Sequence, residues 1–554
     1  MRKLTWRTKV IALIGVLCLP VGLSAAINSG AGQLPQEHTD QITVRAMNVE
    51  AVVMNRDGER IPGLSKDDFR LYVDDELVDI DFFTEVREGA IVGGDQTHPA
   101  VEAEQRMGAN LLIFIDEFFV MPNDKSRVLN ALKERIQNVG PEDQIAVIAW
   151  NGQGLDLLTN WTSSQEEVTA ALDEAIERPA LGLQRRSERD SWDVWDRPAS
   201  QEWRDPSRAW GNDPRRSNSD VWYLDGQERQ YAHLYMSQLR GAVSAAMAAM
   251  RGLPVPDGRN VLLLASGGWP FNPGQYVGGS QGRMINEPEF QGGTELYGPL
   301  ASTANLLGYT VYGVDMPGMQ TSMGARSPGE APNQRSQFFL EGEVHNTMQF
   351  VAVETGGMAL INSQRVTALS EAAADLDNYY WVSFTPDWQG DDERHFIRIE
   401  TTNPDLMIRH RQSYYDMSAQ QAVMLSVQGS MLFRDPETMH DFDVVLGEIE
   451  REGRRDINVP VQIVLDGGDL ESVSSEGKFI IRGVLFYASM DEDGAVSDVK
   501  AVTIGWSSDT PPSAGQLIPY QFTAKLQRKK QRLALAFYDI VGDTTQASLI
   551  SIDP

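Results

Sequence analysis

Three regimes of apolar spacing follow one another along the chain. Between Gln41 and Val86 apolar residues alternate with polar ones in short runs: Val44, Met47, Val49, Val52 and Met54, then Phe69, Leu71 and Val73 beyond the turn Asn55-Arg56-Asp57-Gly58. That spacing predicts short strands joined by tight turns, with the phrase Ile61 to Phe69 capping a helical turn that feeds the strand Arg70–Val73. Residues 27–95 therefore read as an N-terminal β-sandwich segment, which strands from 377–416 are expected to complete. The polar, Gly-containing stretch from Arg87 to Gly108 reads as a linker.

The second regime begins with the continuous apolar run Leu111–Ile115, which ends in Asp116 and reads as a buried parallel strand. A helix is predicted over Asp124–Asn138, where Val128, Leu129, Leu132 and Ile136 share one face, followed by strands Gln144–Trp150 and Leu155–Trp161. Ser163 and Ser164 before Glu166 and Glu167 cap a helix over Glu166–Ile176. Further elements are the helix Met236–Met250, the strand Asn260–Ala265, the helix Leu296–Leu307, the strand Tyr309–Val314 and the helix Asn346–Glu354. Strand and helix in alternation predict a doubly wound, Rossmann-like α/β domain over 109–376, carrying an insertion at 183–230. From Ala419 to Pro554 strand spacing returns, in Ala422–Val427, Val459–Leu465, Lys478–Ala488, Val496–Val502, Tyr520–Leu526 and Arg532–Tyr538. A C-terminal β-sandwich over 419–554 is expected.

The N-terminus changes the picture. Arg2, Lys3, Arg7 and Lys9 precede an apolar run from Val10 to Leu23 and the small residues Ser24, Ala25 and Ala26, the pattern of a signal peptide over 1–26 cleaved before Ile27. The run falls short of the ~20 apolar residues of a spanning helix, and no other stretch is long and apolar enough to span. The one cysteine, Cys18, lies inside the leader behind Leu17, where a lipidation signal takes a small residue, so the mature chain has neither disulfides nor thiol chemistry. A periplasmic or secreted protein is expected, and 554 residues imply several domains. The formal net charge of -30, more negative still without the basic leader, excludes nucleic acid as a partner. An acidic surface serves solubility, and it also attracts divalent cations and basic partners.

The succession of Asp116, Gln144–Trp150, Val261–Ala265 with Ser266-Gly267-Gly268, and Tyr309–Asp315 resembles the von Willebrand factor type A (VWA) family, in the order and spacing of its strands. The flanks resemble those of exported bacterial VWFA-related proteins: Gly63-Leu64-Ser65-Lys66-Asp67-Asp68-Phe69 ahead, and Thr355-Gly356-Gly357, Asn378–Pro386, His395–Ile399 and Gln412–Tyr415 behind. The resemblance implies a VWA domain between β segments and a metal-ion-dependent adhesion site of oxygen ligands, built from a DxSxS loop, a Thr and a later Asp. Phe118 and Val120 stand at the two serine positions and Gly267 replaces the later Asp, so the implied site is degenerate. A divalent cation (Mg²⁺, Mn²⁺ or Ca²⁺) held weakly by Asp116 with Glu117, Ser237, Ser266 or water is one reading. The other makes Asp116 a structural residue that caps its own loop.

The insertion interleaves Trp192, Trp195, Trp203, Trp210 and Trp222 with arginines, the residue types of binding hot spots, and reads either as a recognition arm or as a self-packed or disordered loop. Enzymatic signals are few. Gly278-Gly279-Ser280-Gln281-Gly282 fits GxSxG but lies in a glycine-rich loop, and the seven histidines form no zinc motif. Asp491-Glu492-Asp493-Gly494 reads as a hairpin turn and not a calcium loop. The expectation is a non-enzymatic exported protein that binds another exported or envelope protein, in adhesion or another protein–protein contact. A structural envelope scaffold is the alternative, and a hydrolase ranks below both.

Overall fold

The computed structural model describes residues 47–92, 108–136, 142–191, 226–253, 255–256, 258–278, 292–316, 334–361, 375, 377–433, 441–475, 478–492, 496–542 and 544–554. The predicted leader, most of the predicted linker and residues 192–225 of the insertion lie outside them.

The first strands are β1 (Met47–Met54), β2 (Phe69–Val73), β3 (Glu76–Val78), β4 (Phe82–Arg87) and β5 (Ala90–Val92). An α/β stretch follows: β6 (Ala109–Asp116), α1 (Pro122–Ile136), β7 (Gln144–Trp150), β8 (Leu155–Thr162), α2 (Gln165–Glu177), α3 (Gly182–Ser191), α4 (Gly226–Arg251) and β9 (Arg259–Ser266). It continues through α5 (Pro273–Gly278), α6 (Gly293–Leu306), β10 (Tyr309–Asp315), α7 (Gln334–Glu354) and β11 (Met358–Leu360). Then come β12 (Tyr379–Phe384), β13 (Arg394–Thr401), β14 (Met407–Arg409), β15 (Ser413–Tyr415) and α8 (Ala419–Ser430). The last strands are β16 (Asp443–Leu446), β17 (Glu450–Glu452), β18 (Asp456–Asp466), β19 (Val473–Ser475), β20 (Lys478–Asp491), β21 (Lys500–Ser508), β22 (Leu517–Gln527), β23 (Gln531–Asp539) and β24 (Thr544–Ile552).

Near the N-terminus a sheet ordered β14-β1-β12-β4-β5 faces a second one ordered β15-β13-β2-β3. Alternate residues drive this pairing: Val49, Ala51 and Val53 on β1, and Ile397 and Ile399 on β13, turn inward to a shared core with Leu71 and Val382, while Glu50 and Val52 on the other face of β1 are buried as well. The mixed sheet is ordered β11-β10-β9-β6-β7-β8, parallel throughout except that β8 returns antiparallel to β7. Its strands are apolar on both faces. Leu112, Phe114 and Ile148 pack under α4 and α6, while Leu111, Ile113 and Val147 pack under α1 and α2. Each such side chain contributes about 1.5–3 kcal/mol by burial. The C-terminal strands form two further sheets around one core, β16 and β17 flanking β18 beside β22, and β19-β20-β23-β24 with β21 on β20.

This corrects the expected architecture. Strand residues outnumber helical ones, most sheets are antiparallel, and the α/β part is one mixed sheet with an antiparallel edge; a doubly wound VWA domain is not shown. Apolar spacing places strands and helices, but it carries neither strand direction nor the balance of the whole chain. A second correction concerns Ala422–Val427, expected as a strand and found inside α8. A short apolar run suits either element, and here tertiary packing decides. The Ser418 hydroxyl caps the helix by accepting from Gln421 N at 3.2 Å, while Val423, Val427 and Met431 fall on one buried face. Close approach to α4 follows from Gly429 in α8, where a Cβ would stand 2.8 Å from the Cβ of Arg251.

Buried charge ties the N-terminal sheets to the mixed sheet. Arg259 on β9 pairs with Glu50 on β1 at 2.7 Å, and Asp375, wholly buried, accepts from Arg60, Arg409 and the Tyr312 hydroxyl. The Coulomb field of Glu50 keeps Arg259 firmly charged against its burial.

Candidate functional site

At the carboxyl end of β6, Asp116 is wholly buried and every lone-pair direction of its carboxylate is used. Oδ1 accepts from the backbone N–H groups of Phe118 at 3.0 Å and Phe119 at 3.2 Å, and Oδ2 accepts from the Ser266 hydroxyl at 2.5 Å and the Trp269 indole N–H at 2.9 Å. Burial pushes the Asp116 carboxyl up to about 6, against the four donors that pull it down. Trp269 is fixed in turn by stacking on Tyr297, with centroids 6.1 Å apart and planes 10° apart. Gly268 is required beside it, because a Cβ there would meet Phe119 Cβ at 2.4 Å. Phe118 meets Trp150 at 5.1 Å and lies under the Arg185 guanidinium at 4.5 Å, and Val120 is wholly buried.

These residues do not fit the divalent cation that the VWA resemblance implies. A cation needs free oxygen ligands, and Asp116 offers none without displacing an indole or a hydroxyl. Glu117 is buried and engaged elsewhere, accepting from Arg178 Nε at 3.0 Å and pairing with Lys125 Nζ at 3.5 Å. Burial raises the Glu117 carboxyl and lowers the Lys125 ammonium, each partly offset by the other's charge. Lys125 Nζ also donates to the carbonyls of Ala175 at 2.6 Å and Arg178 at 2.5 Å, so the cluster ties β6 to α1 and α2. Of the four residues named from the sequence, the structure brings Ser266 to Asp116, gives Glu117 other partners, and leaves Ser237 exposed on α4. Among the described residues no three His, Cys, Asp or Glu side chains are placed to hold a metal ion.

The remaining sequence candidates fall beyond reach. Trp192, Trp195, Trp203, Trp210 and Trp222 lie outside the described residues, as do Gly279–Gly282 of the GxSxG match and Asp493 and Gly494. Of the histidines, His345 faces Asp315 at 3.4 Å, His395 contacts Asp74 at 2.8 Å, and burial lowers His410 below its ordinary value.

A second place was missed by sequence reasoning: the outward face of the β15-β13-β2-β3 sheet. Tyr72 on β2 stands opposite Arg398 on β13 and Leu77 on β3, making a row across three strands. Phe396, two positions before Arg398, shares that face. Leu77 is 68% exposed and Phe396 56% exposed. Arg398 lies 4.0 Å over the Tyr72 ring and Arg394 4.8 Å over Phe396, and ion pairs with Asp75 and Glu400 for Arg398 and with Glu354 for Arg394 also hold the two side chains. A solvated sheet face ordinarily reads polar, and the signal available in the sequence was Phe396, an aromatic residue in phase with Arg394, Arg398 and Glu400.

No protein-family model matches the chain, and no curated protein is similar to it. Among solved structures, the pilus adhesin SpaC from Lactobacillus rhamnosus GG aligns at TM-score 0.26 and 9% identity, covering 82% of this chain and 57% of that one. A putative beta-galactosidase from Bacteroides fragilis aligns at TM-score 0.15 and 8% identity, over 21% of this chain and 16% of that one. The beta-glucuronidase of Bacteroides uniformis aligns at 0.15 and 9%, over 32% and 19%. The chain spans less than two thirds of the length of each, and likeness at these scores carries no argument about fold or function. None of the comparisons points to the VWA family.

Proposed function

We propose that this chain is an exported, non-catalytic interaction protein of the cell envelope, which binds another exported protein through the outward face of its β15-β13-β2-β3 sheet. The observation that carries the reading is the row Leu77-Tyr72-Arg398 with Phe396 beside it. Exposed apolar and aromatic residues next to arginines placed over aromatic rings are the composition of an interface centre. Export rests on the leader pattern at 1–26. No helix among the described residues is long and apolar enough to cross a membrane. The end of β6 plays no part in recognition, because its polar groups are spent on one another.

A scaffold role without a bound partner is favoured by the Glu50–Arg259 and Asp375 contacts, which lock the N-terminal sheets to the mixed sheet. A photo-crosslinking residue at Phe396, compared with one at exposed Ser237, separates the two readings in living cells. A discrete adduct at Phe396 alone supports recognition. Adducts at neither position, or equally at both, sink it in favour of the scaffold.

A further inference from the structure

The free edge of this face has a chemistry of its own. Asp74 and Asp75 both adopt positive φ, 50° and 67°, which makes the β2–β3 connection a two-residue hairpin of the primed type. In such a hairpin the flanking pair, Val73 and Glu76, turns its backbone groups toward each other, so the next pair, Tyr72 and Leu77, does not. The alternation continues into β13, where Asp74 N donates to Phe396 O at 2.9 Å. The N–H and C=O of Leu77 consequently point away from β2, and among the described residues β3 is the last strand of its sheet. The exposed Leu77 side chain and its outward backbone groups thus occupy one spot.

What borders that spot decides the occupant. From Asp74 to Val86 the sequence contains no Lys, Arg or His, while Asp75, Glu76, Asp79 and Asp81 are all exposed. The Asp75 side chain is 93% exposed and pairs with Arg398 at 3.4 Å, so the acidic character of the edge rests on Glu76, Asp79 and Asp81. A second copy of this chain would bring the same carboxylates to the edge and be repelled, which is how acidic edges discourage self-pairing. A basic segment is drawn to it.

The geometry points to β3 as the docking edge for an extended, basic segment of the partner protein, which adds as a strand beside Leu77, sets an apolar side chain against Leu77 and Tyr72, and places Lys or Arg among the carboxylates of Glu76 and Asp79. This rests on the reading of the face given above and names the partner's chemistry. One residue's pair of main-chain bonds is a small attachment, so apolar contact and charge supply most of the affinity. Binding is correspondingly salt-sensitive.

The experiment uses the mature full chain and two synthetic peptides, one alternating Lys and Val, the other alternating Glu and Val, with binding followed by fluorescence anisotropy and hydrogen exchange. The Lys/Val peptide should bind and slow exchange in residues 74–81, and raised salt should weaken it. Leu77→Pro deletes the outward N–H without touching a bond to β2 and should weaken binding about tenfold, as should Glu76→Gln with Asp79→Asn. Unchanged thermal melting in these variants shows that the hairpin still forms. Equal binding of both peptides, protection elsewhere, indifference to Leu77→Pro, or concentration-dependent dimerisation would each overturn the proposal. If crosslinks form at Phe396 while the peptides fail, the face stands and strand addition falls. If the peptides bind while no crosslink forms at Phe396, the face has no cellular role.

Discussion

The end of β6 and the edge at β3 differ in where their hydrogen bonds go. At Asp116 an anionic group has been taken out of water and surrounded by four donors from its own chain. At Leu77 a backbone donor and acceptor remain turned outward beside exposed apolar surface. A saturated polar cluster specifies one packed arrangement and has nothing left for a ligand. An unsaturated edge costs little while water is present and becomes useful when a partner replaces that water. Sequence motifs direct attention to acidic residues at strand ends, yet the physical criterion for a site is unspent bonding capacity.

The largest effect that tests this contrast comes from Asp116→Ala. Removing the carboxylate leaves the Trp269 N–H, the Ser266 hydroxyl and two backbone N–H groups buried without an acceptor, so about 3–5 kcal/mol of stability should be lost. Denaturant unfolding measures it. A loss below about 1 kcal/mol would mean that water already serves these donors.

Next in size is the pH dependence. The Asp116 carboxyl is raised from 3.8 to about 6 in the folded chain, so the fold binds a proton more tightly than the unfolded chain does. The resulting stability is fully present below pH 4 and is lost as pH rises through about 6, a change of up to ~3 kcal/mol. Comparing unfolding curves at pH 4 and pH 7 for wild type and Asp116→Asn isolates it, because the amide cannot titrate and its slope across that window should be flatter. Identical slopes would assign the dependence to other groups.

How much was legible beforehand follows the same division. The run Leu111–Ile115 falls inside β6, because a strand covered on both faces must be apolar at every position. Asp116 and Ser266 were marked by standing where β6 and β9 end. Their joint partner Trp269 was not, since an indole three residues beyond Ser266 carries no periodic signal. The overall architecture was misjudged for a related reason: the antiparallel return of β8 and the long antiparallel sheets of the C-terminal half are set by pairing between distant strands, such as β18 with β22. The face around Phe396 escaped notice because it exists only once β13, β2 and β3 lie side by side. Leu77 and Phe396 are 319 residues apart in the chain.

A smaller effect is expected at the open edge. Leu77→Ser and Phe396→Ser remove side chains that water already surrounds, so each should change stability by less than about 0.5 kcal/mol, and Leu77→Ser should abolish the crosslink formed from position 396. A large loss of stability in either variant would show that the residue belongs to the core and would remove the basis for reading the face as a docking surface.

The smallest effect expected is none at all. Mg²⁺, Mn²⁺ or Ca²⁺ added to the wild-type chain should leave its melting temperature unmoved, since a cation that bound only the folded state would raise it by mass action. To enter, the ion would have to displace the Trp269 indole and the Ser266 hydroxyl from Asp116, abandon two buried donors, and find its remaining oxygens where Phe118 and Val120 stand. A melting shift in wild type that Asp116→Ala abolishes would therefore show that this end of β6 opens in solution, and the distinction between a spent cluster and an unspent edge would fail at its first member.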